Sequence, residues 1–351
     1  MREIKIGKTL IGDRHEPYIV AEVGINHNGE LEKAFRMIEV AKQAGVDAVK
    51  FQTFKAEEFV SDKSQMFTYY SQGKKITESM LEMFKRYEFS DMEWVRIKEK
   101  CDSEKITFLS TPQNVSDMNF LLELGVSALK VGSDDFTNIP LLETYSKSEL
   151  PMIVSCGMAD IGEVHQALKA IGALDGYPTI LLLCTSQYPT PPVDVNLLKI
   201  KTLLQAYPNI PIGFSDHTQG PIAASVAVAF GASFFEKHFT LDNNLPGPDH
   251  WFSENPDSLK VWVESIKSAK KMLGSAIVQP TKNEEEMRHI ARRYIVAVEQ
   301  INKGEILDNK NIGIRRTGKI GLGPYLYNDI IGKRAMKTIQ KGTLVEIGDF
   351  Q

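Results

Sequence analysis

The chain has 351 residues, of which 42% are hydrophobic and 25% charged, with a formal net charge of −4. That balance describes a globular protein with a substantial core and argues against general nucleic-acid binding, which needs a basic face. No apolar run approaches a membrane span, and the first twenty residues are too polar for a signal peptide. The three cysteines, Cys101, Cys156 and Cys184, form neither a C-x-x-C pair nor a disulfide framework. Together these features lead us to expect a cytoplasmic location, with no nucleic-acid and no membrane partner.

Along the chain, short apolar strands alternate with longer amphipathic stretches, the pattern of a parallel sheet wrapped by helices. A first strand is expected at 18–23, followed by a helix over 31–44 with Gly45 as its stop and a second strand at 48–52. Residues 54–90 are longer than a simple connection and read as a lid or substrate loop. Ser90 and Glu93 form a capping-box pattern that opens the next helix. Further strands are expected at 106–110, 128–131, 152–155, 179–184, 210–214 and 233–238, with a helix over 257–272 after the last. Eight such units match a (β/α)8 TIM barrel in an α/β fold, which we place at 1–277. Residues 278–286 read as a polar linker. Residues 287–351 read as a small β-rich domain, in which Ile301-Asn302-Lys303-Gly304-Glu305-Ile306 recurs loosely as Ile339-Gln340-Lys341-Gly342-Thr343-Leu344. A unit that small has a marginal core, so docking or dimerisation is expected to support it.

Barrel active sites lie at the C-terminal strand ends, and nearly every expected strand ends in polar residues. In order these are Glu22 with Asn26 and His27, then Lys50 and Gln52, Ser110 and Thr111, and Lys130 with Ser133, Asp134 and Asp135. There follow Ser155, then Thr185, Ser186 and Tyr188, then Ser215-Asp216-His217, and last Glu236-Lys237-His238. A sheet buried on both faces has no packing reason for such a ring. His217 and His238 end adjacent strands, so two neutral imidazoles can converge on a divalent metal such as Mn²⁺, Co²⁺ or Zn²⁺. The other reading makes each a core or acid–base histidine. Asp216 is a candidate partner for the ligands, and His27 reads as a cap of the first helix. His15, His165 and His289 carry no motif and are expected at the surface. Lys50 and Lys130, with Thr111, Ser133, Ser155 and Ser215, suit a small phosphorylated carboxylate. Rim lysines or a Schiff-base lysine are the alternatives. Neither a Walker sequence nor a Rossmann glycine fingerprint is present.

These motifs resemble the sialic acid synthases. The matching pieces are Ala21-Glu22-Val23-Gly24-Ile25-Asn26-His27-Asn28-Gly29, Val49-Lys50-Phe51-Gln52-Thr53, Leu109-Ser110-Thr111-Pro112, Leu129-Lys130-Val131-Gly132-Ser133, Gly213-Phe214-Ser215-Asp216-His217, Glu236-Lys237-His238-Phe239-Thr240 and Pro246-Gly247-Pro248-Asp249-His250. In the tail, Lys303-Gly304-Glu305 and Arg315-Arg316-Thr317-Gly318 resemble the family's antifreeze-like (SAF) domain. The resemblance implies condensation of phosphoenolpyruvate with N-acetylmannosamine or a related N-acyl amino sugar, giving a nonulosonic acid and phosphate. It implies a divalent metal (Mn²⁺, with Co²⁺ or Mg²⁺ as alternatives) held by His217 and His238. Lys50, Thr111, Lys130, Ser133, Ser155 and Ser215 would hold phosphoenolpyruvate, and Gln52, Tyr188 and Asp249 would orient the sugar. Glu22 would manage a proton. Arg316 would reach the N-acyl group from a partner subunit, in a homodimer with a swapped SAF domain. Two positions depart from the neuraminate-type pattern. Ser186 stands where an asparagine often contacts phosphoenolpyruvate, and Asp135 where a glutamate often faces the aldehyde. The competing readings are a metal-dependent sugar aldolase or epimerase on the same barrel, and a carbohydrate- or ice-binding tail carried by a barrel.

Overall fold

A computed structural model describes residues 3–351. The chain divides into two compact units between Gly274 and Ser275. The first opens with a hairpin of β1 (Glu3–Ile6) and β2 (Thr9–Gly12). Its barrel strands are β3 (Tyr18–Gly24), β4 (Ala48–Thr53), and, after a second hairpin of β5 (Met66–Ser71) and β6 (Lys74–Ser79), β7 (Thr107–Pro112) and β8 (Leu129–Val131). They continue with β9 (Met152–Ser155), β10 (Thr179–Cys184), β11 (Ile212–Ser215) and β12 (Phe234–His238). The eight form one parallel sheet in the order β7-β4-β3-β12-β11-β10-β9-β8, with β7 and β8 lying side by side. All eight expected strands are present within two residues of their expected ends. This is a (β/α)8 barrel.

Alternation along the strands sorts side chains into two cores. Residues facing outward pack under the helices, with Val49, Phe51, Phe108 and Phe235 among them, and meet Trp262 of the last barrel helix in the same core. Residues facing inward fill the lower barrel: Tyr18, Val20, Ala48, Leu109, Ala128, Ile153, Ile180, Leu182 and Phe234. Ile4, Ile6 and Ile11 of the first hairpin join them. At Gly213 the interior is full. A Cβ there would sit 2.5 Å from the Leu182 Cδ2 and 2.6 Å from the Phe234 carbonyl oxygen.

The local signals hold where the chemistry is strong. The helix Leu31–Ala44 ends on Gly45 in the left-handed region, and its acidic start and apolar stripe place Met37, Ile38 and Ala41 inward. Ser90 and Glu93 make the expected capping box on Asp91–Ser103. The last barrel helix runs Pro256–Leu273. His27 does not cap the first helix, whose N-cap is Glu30. Instead it is fully buried and stacked on Phe89 at 4.3 Å between ring centroids, with Nδ1 accepting from the Gly29 amide. His165 and His289 are exposed and His15 is half-buried.

The stretch read as a linker at 278–286 is in part a helix. Lys282–Ala291 starts on a Thr281–Glu284 capping box, a signal already present in the sequence. The second unit then pairs β13 (Arg293–Ala297) with β14 (Ile312–Arg316) around a core of Ile295, Ile301, Leu307, Ile312, Ile339 and Val345. Its two Lys-Gly repeats meet face to face, with Ile301 and Ile339 exchanging both backbone hydrogen bonds. Among the described residues no helix is long and apolar enough to cross a membrane, and the three cysteines are free and buried.

The packed interior at Gly213 yields a stability test. Gly213→Ala should lower the unfolding free energy by about 1–3 kcal/mol, the cost of overpacking a filled core, measured by urea titration. An unchanged midpoint would show that Leu182 and Phe234 move aside without cost.

Candidate active site

On six of the barrel strands a polar residue lies two positions beyond an inward apolar one. Val20 is followed by Glu22, Ala48 by Lys50, Leu109 by Thr111, Ala128 by Lys130, Ile153 by Ser155 and Phe234 by Glu236. Strand register brings these into a single layer: Glu22 lies opposite Lys50 on one side and His238 on the other, and Ser215 lies opposite Glu236. Above them is a cavity of about 330 Å³. It is lined by Glu22, Lys50, Gln52, Thr111, Lys130, Ser133, Ser155, Ser186, Tyr188, Ser215, His217, Glu236 and His238, with Gln113, Asp134 and Cys184 also in its wall.

Both lysines are buried, Lys50 at 4% and Lys130 at 3% exposure, so neither is a rim lysine reaching solvent. The Lys50 Nζ lies 2.8 Å from Glu22 Oε2 and 3.8 Å from Glu236 Oε2, and donates to Thr111 Oγ1 at 3.1 Å. Lys130 donates to Ser155 Oγ at 2.8 Å and lies 3.8 Å from Glu236 Oε1, which also accepts from Ser215 Oγ at 3.1 Å. Two ammonium groups and two carboxylates thus share one dry layer. Burial pushes the Glu22 carboxyl up to about 7, with Lys50 opposing and Glu236 adding to the rise. Burial would also raise Glu236, but Lys130, Lys50 and His217 outweigh it and hold that carboxyl low. Burial pulls the Lys130 ammonium down, while for Lys50 the pull of burial is exceeded by Glu22 and Glu236.

His217 and His238 meet at the cavity wall with ring centroids 5.5 Å apart, and Tyr188 packs 4.2 Å from the first and 5.6 Å from the second. His217 Nδ1 lies 2.8 Å from the Thr185 carbonyl oxygen, which fixes that ring and leaves Nε2 3.5 Å from Ser215 Oγ. His238 is held well below the usual imidazole range by burial and by His217, and so stays neutral; its buried Nδ1 has no hydrogen-bond partner. Two adjacent imidazoles, one of them neutral with an orphaned nitrogen, are a donor set that fits a divalent metal. Among the described residues no group of three His, Cys, Asp or Glu is placed to hold one, so the other ligands would come from water or substrate.

Most of the sequence-derived residues converge here. Ser133 Oγ accepts from the Gly157 amide at 3.0 Å; Ser186 Oγ is buried without a partner. A Cβ at Gly157 would come within 2.5 Å of Ser186 Oγ and 2.6 Å of Ser133 Oγ, so the cavity floor there has room only for glycine. Asp249 lies in an adjoining cavity of about 390 Å³ that shares Gln52, Tyr188 and His238 with the first. Its Oδ2 is 3.9 Å from His238 Nδ1.

Three expectations need correction. Asp135 does not line the cavity: its carboxylate accepts from Asn138 Nδ2 at 3.0 Å, and the neighbouring Asp134 faces the site instead. Asp216 does not support His217. It points outward, accepting from Lys237 Nζ at 2.9 Å and Trp262 Nε1 at 3.0 Å, while its other oxygen takes the Thr218 amide and hydroxyl. Glu236 was noted as part of a strand end but given no role, although it sits between both lysines. Its place two residues past inward Phe234 and two before His238 is the signal that marks it. Arg316 is the exposed last residue of β14 in the second unit.

A NeuB family profile matches residues 37–278 and a SAF domain profile residues 292–351. The chain belongs to the NeuB family. It is 38% identical to the N,N'-diacetyllegionaminic acid synthase of Legionella pneumophila, covering 93% of this chain and 92% of the relative. With the N-acetylneuraminate-9-phosphate synthase of Homo sapiens it shares 33% identity over 94% and 92% of the two chains. A crystal structure of the N-acetylneuraminic acid synthetase from Leptospira borgpetersenii superposes with a TM-score of 0.73 at 36% identity, covering 81% of this chain and 94% of that one. The protein is therefore an enzyme of the sialic acid synthase family, and its barrel and SAF domain are the family's.

The raised Glu22 carboxyl gives this NeuB-family cavity a pH signature. Below about 7 Glu22 is neutral and leaves Lys50 free for an anion; above it Glu22 ionises and competes for the same ammonium. Sulfate, whose charge is constant across the neutral range, should bind progressively more weakly above that point, with a slope approaching tenfold per pH unit. Calorimetric titration of the wild type should show that slope and Glu22→Gln should remove it. A flat wild-type profile would place the proton elsewhere.

Proposed function

We propose that the enzyme condenses phosphoenolpyruvate with an N-acyl amino-sugar aldehyde, releasing inorganic phosphate and a nine-carbon α-keto acid sugar. The observation that carries this reading is the pair of adjoining cavities. The first holds two buried lysines among carboxylates and hydroxyls, suited to a small phosphorylated carboxylate, and the second opens from it past Gln52, Tyr188 and His238. The synthase names of relatives that match over nearly the whole chain support it.

In this mechanism Lys50 and Lys130 grip the two anionic ends of phosphoenolpyruvate, and Thr111, Ser133, Ser155, Ser186 and Ser215 donate hydrogen bonds to its oxygens. Gln52, Tyr188 and Asp249 orient the sugar so that its aldehyde carbon faces C3 of phosphoenolpyruvate. His217 and His238 would hold a divalent metal, Mn²⁺ by preference, which when bound supplies Lewis-acid polarisation of the aldehyde. The new C–C bond forms between C3 and that carbon, the aldehyde oxygen gains a proton, and positive charge develops at C2 beside Glu22 and Glu236. Water adds to C2 and gives one proton to Glu22, in exchange for the one the aldehyde oxygen takes up. The C2–O bond to phosphate then breaks as the C2 hydroxyl proton passes to the departing phosphate, leaving the ketone. Each lysine acts as a fixed charge, and neither forms a covalent bond to substrate.

Phosphate release from phosphoenolpyruvate should require an N-acyl amino sugar and should stop on metal removal with EDTA. Lys130→Ala should raise KM for phosphoenolpyruvate by roughly 10- to 100-fold, the loss of one charge-assisted contact. Borohydride added with both substrates should trap no lysine adduct, and a reduced adduct in the mass spectrum would establish the Schiff-base route instead. His217→Ala should leave the protein folded but without bound Mn²⁺ after dialysis.

The working unit in this reading is a homodimer with swapped SAF domains, in which the partner chain supplies the exposed Arg316 to the N-acyl group. A guanidinium suits that task because its planar fork donates to an amide oxygen and stays charged at working pH. Mixing Arg316→Ala with His238→Ala chains should restore part of the activity, since one site of each heterodimer combines an intact barrel with an intact arginine. Failure to complement despite proven subunit exchange would rule out the shared site.

A further inference from the structure

Asp249 brings a carboxylate to the wall of the second cavity, yet no barrel strand carries it. It lies in the connection 239–255 between β12 and the helix Pro256–Leu273, a stretch with neither helix nor strand of its own. A side chain on such backbone keeps one direction only where its neighbours are tied down. The tie is the next residue. His250 is 1% exposed and is not among the residues lining that cavity.

Both ring nitrogens of His250 are engaged. Asn28 Nδ2 donates to the Pro246 carbonyl at 2.9 Å, which turns Asn28 Oδ1 toward His250 Nε2, 2.9 Å away. That nitrogen therefore carries the ring hydrogen. Burial holds the imidazole down to about 4, with Lys33 adding to the fall and Asp242 opposing it, so the ring is neutral and Nδ1 is bare. Nδ1 accepts from the Thr240 hydroxyl at 2.6 Å, nearer than the Asp242 carbonyl at 3.0 Å, and the Thr240 oxygen accepts from the Asp242 amide at 3.2 Å. The backbone is held alongside. Asn243 Nδ2 donates to the His250 carbonyl at 2.9 Å and to the Ser253 carbonyl at 2.7 Å. Ser253 Oγ donates to the Asp249 carbonyl at 2.5 Å and accepts from Asn26 Nδ2 at 3.0 Å. Asn26 and Asn28 come just after β3, so the loop that bears Asp249 is fastened to the strand that bears Glu22.

We propose that His250 is a positioning residue: its imidazole, braced between Asn28 and Thr240, fixes the direction in which Asp249 presents its carboxylate to the sugar. Asn28 shares that task from the strand side. A ring that merely filled the loop would, when removed, disturb both substrates alike. A ring that acts through Asp249 changes only how the sugar is used, because the phosphoenolpyruvate contacts stand on barrel strands that the loop does not build. This inference rests on the condensing reaction proposed above and on Asp249 facing the sugar within it.

A double-mutant cycle tests it, read as phosphate release from phosphoenolpyruvate. The sugar is the better used of N-acetylmannosamine and a 2,4-diacetamido-2,4,6-trideoxyhexose. His250→Ala removes the ring. Asn28→Gly removes the brace from a different segment and suits the left-handed turn there, where φ is 56°. Each should lower kcat/KM for the sugar by about 10- to 100-fold, the scale of a misaimed contact, while KM for phosphoenolpyruvate stays within about twofold of the wild type. In an Asp249→Ala background both substitutions should cost less than about twofold, since the carboxylate they aim is gone. His250→Gln keeps an N–H for Asn28 and should recover part of the loss. Should His250→Ala fail to fold, Asn28→Gly carries the cycle. Full additivity with Asp249→Ala, or a parallel rise in KM for phosphoenolpyruvate, overturns the inference and leaves the condensing reaction standing. An Asp249→Ala enzyme with unchanged sugar use removes Asp249 from the sugar, and the inference with it. Absence of phosphate release with both sugars removes the reaction itself.

Discussion

Everything in the upper barrel depends on holding two ammonium groups in a layer that is almost dry. Their counter-ions are Glu22, 2.8 Å from Lys50, and Glu236, 3.8 Å from both lysines. Removing such charges from water costs several kcal/mol apiece, and the attraction between them repays it only when geometry is tight and spare lone pairs are satisfied. That requirement accounts for the hydroxyls. Thr111, Ser155 and Ser215 each hydrogen-bond one member of the charged set. It also accounts for the register. The four charges come from β3, β4, β8 and β12, and the register sets Glu22 directly opposite Lys50. The arrangement is neutral at rest when both carboxylates are ionised, so an entering anion displaces an existing partner instead of filling an unbalanced positive hole. The phosphoenolpyruvate proposed as substrate has two anionic ends, and the two cations stand on different strands.

A second charged set on the outer face of the same strands steadies the histidines. Lys237 lies between Glu236 and His238 but points the other way, to Asp216 at 2.9 Å, the Thr218 carbonyl at 2.6 Å and Glu254 at 3.5 Å. Asp216 in turn holds Trp262 of the last barrel helix. Because side chains alternate along a strand, locking Lys237 and Asp216 outward fixes which way Glu236, His238 and Ser215 face. The buried pair contributes orientation to the site from outside it.

How much of this the sequence disclosed follows from where period two applies. Inside strands the polar residue that breaks an apolar run is conspicuous, so Glu22, Lys50, Lys130 and Ser155 were readable, as were the eight strands. The same parity applied to Phe234-Phe235-Glu236-Lys237-His238 assigns Glu236 inward and Lys237 outward. Reading the triplet as one polar strand end hid that distinction. Beyond the strand end parity is lost. Asp134 and Asp135 occupy a turn whose course is set by Asn138 and the start of the next helix, and adjacent acids gave no local means of choosing between them. Asp216 misled for the same reason: with His217 it lies just past the end of β11, and there it turns to Lys237 and Trp262. The helix at Lys282–Ala291 was overlooked because its three glutamates read as a solvated run, although Thr281 with Glu284 is a start signal.

The aromatic hairpin lies furthest from what sequence pattern can reach. Residues 54–90 were recognisable as too long for a connection, yet nothing in Phe67-Thr68-Tyr69-Tyr70-Ser71 marks its aromatics as lining the second cavity. Only their contact with a segment some 180 residues later, through Ser71 and Gly247 (|i−j| = 176), makes them a wall. This division of labour has a physical logic. The charged layer is built on barrel strands, where register is rigid and a displacement of one residue would turn every side chain to the other face. The aromatic wall of the second cavity is built on a hairpin and a loop, where residues can change without disturbing that register. A family that keeps one chemistry while using different sugars needs both: a half that cannot drift and a half that can.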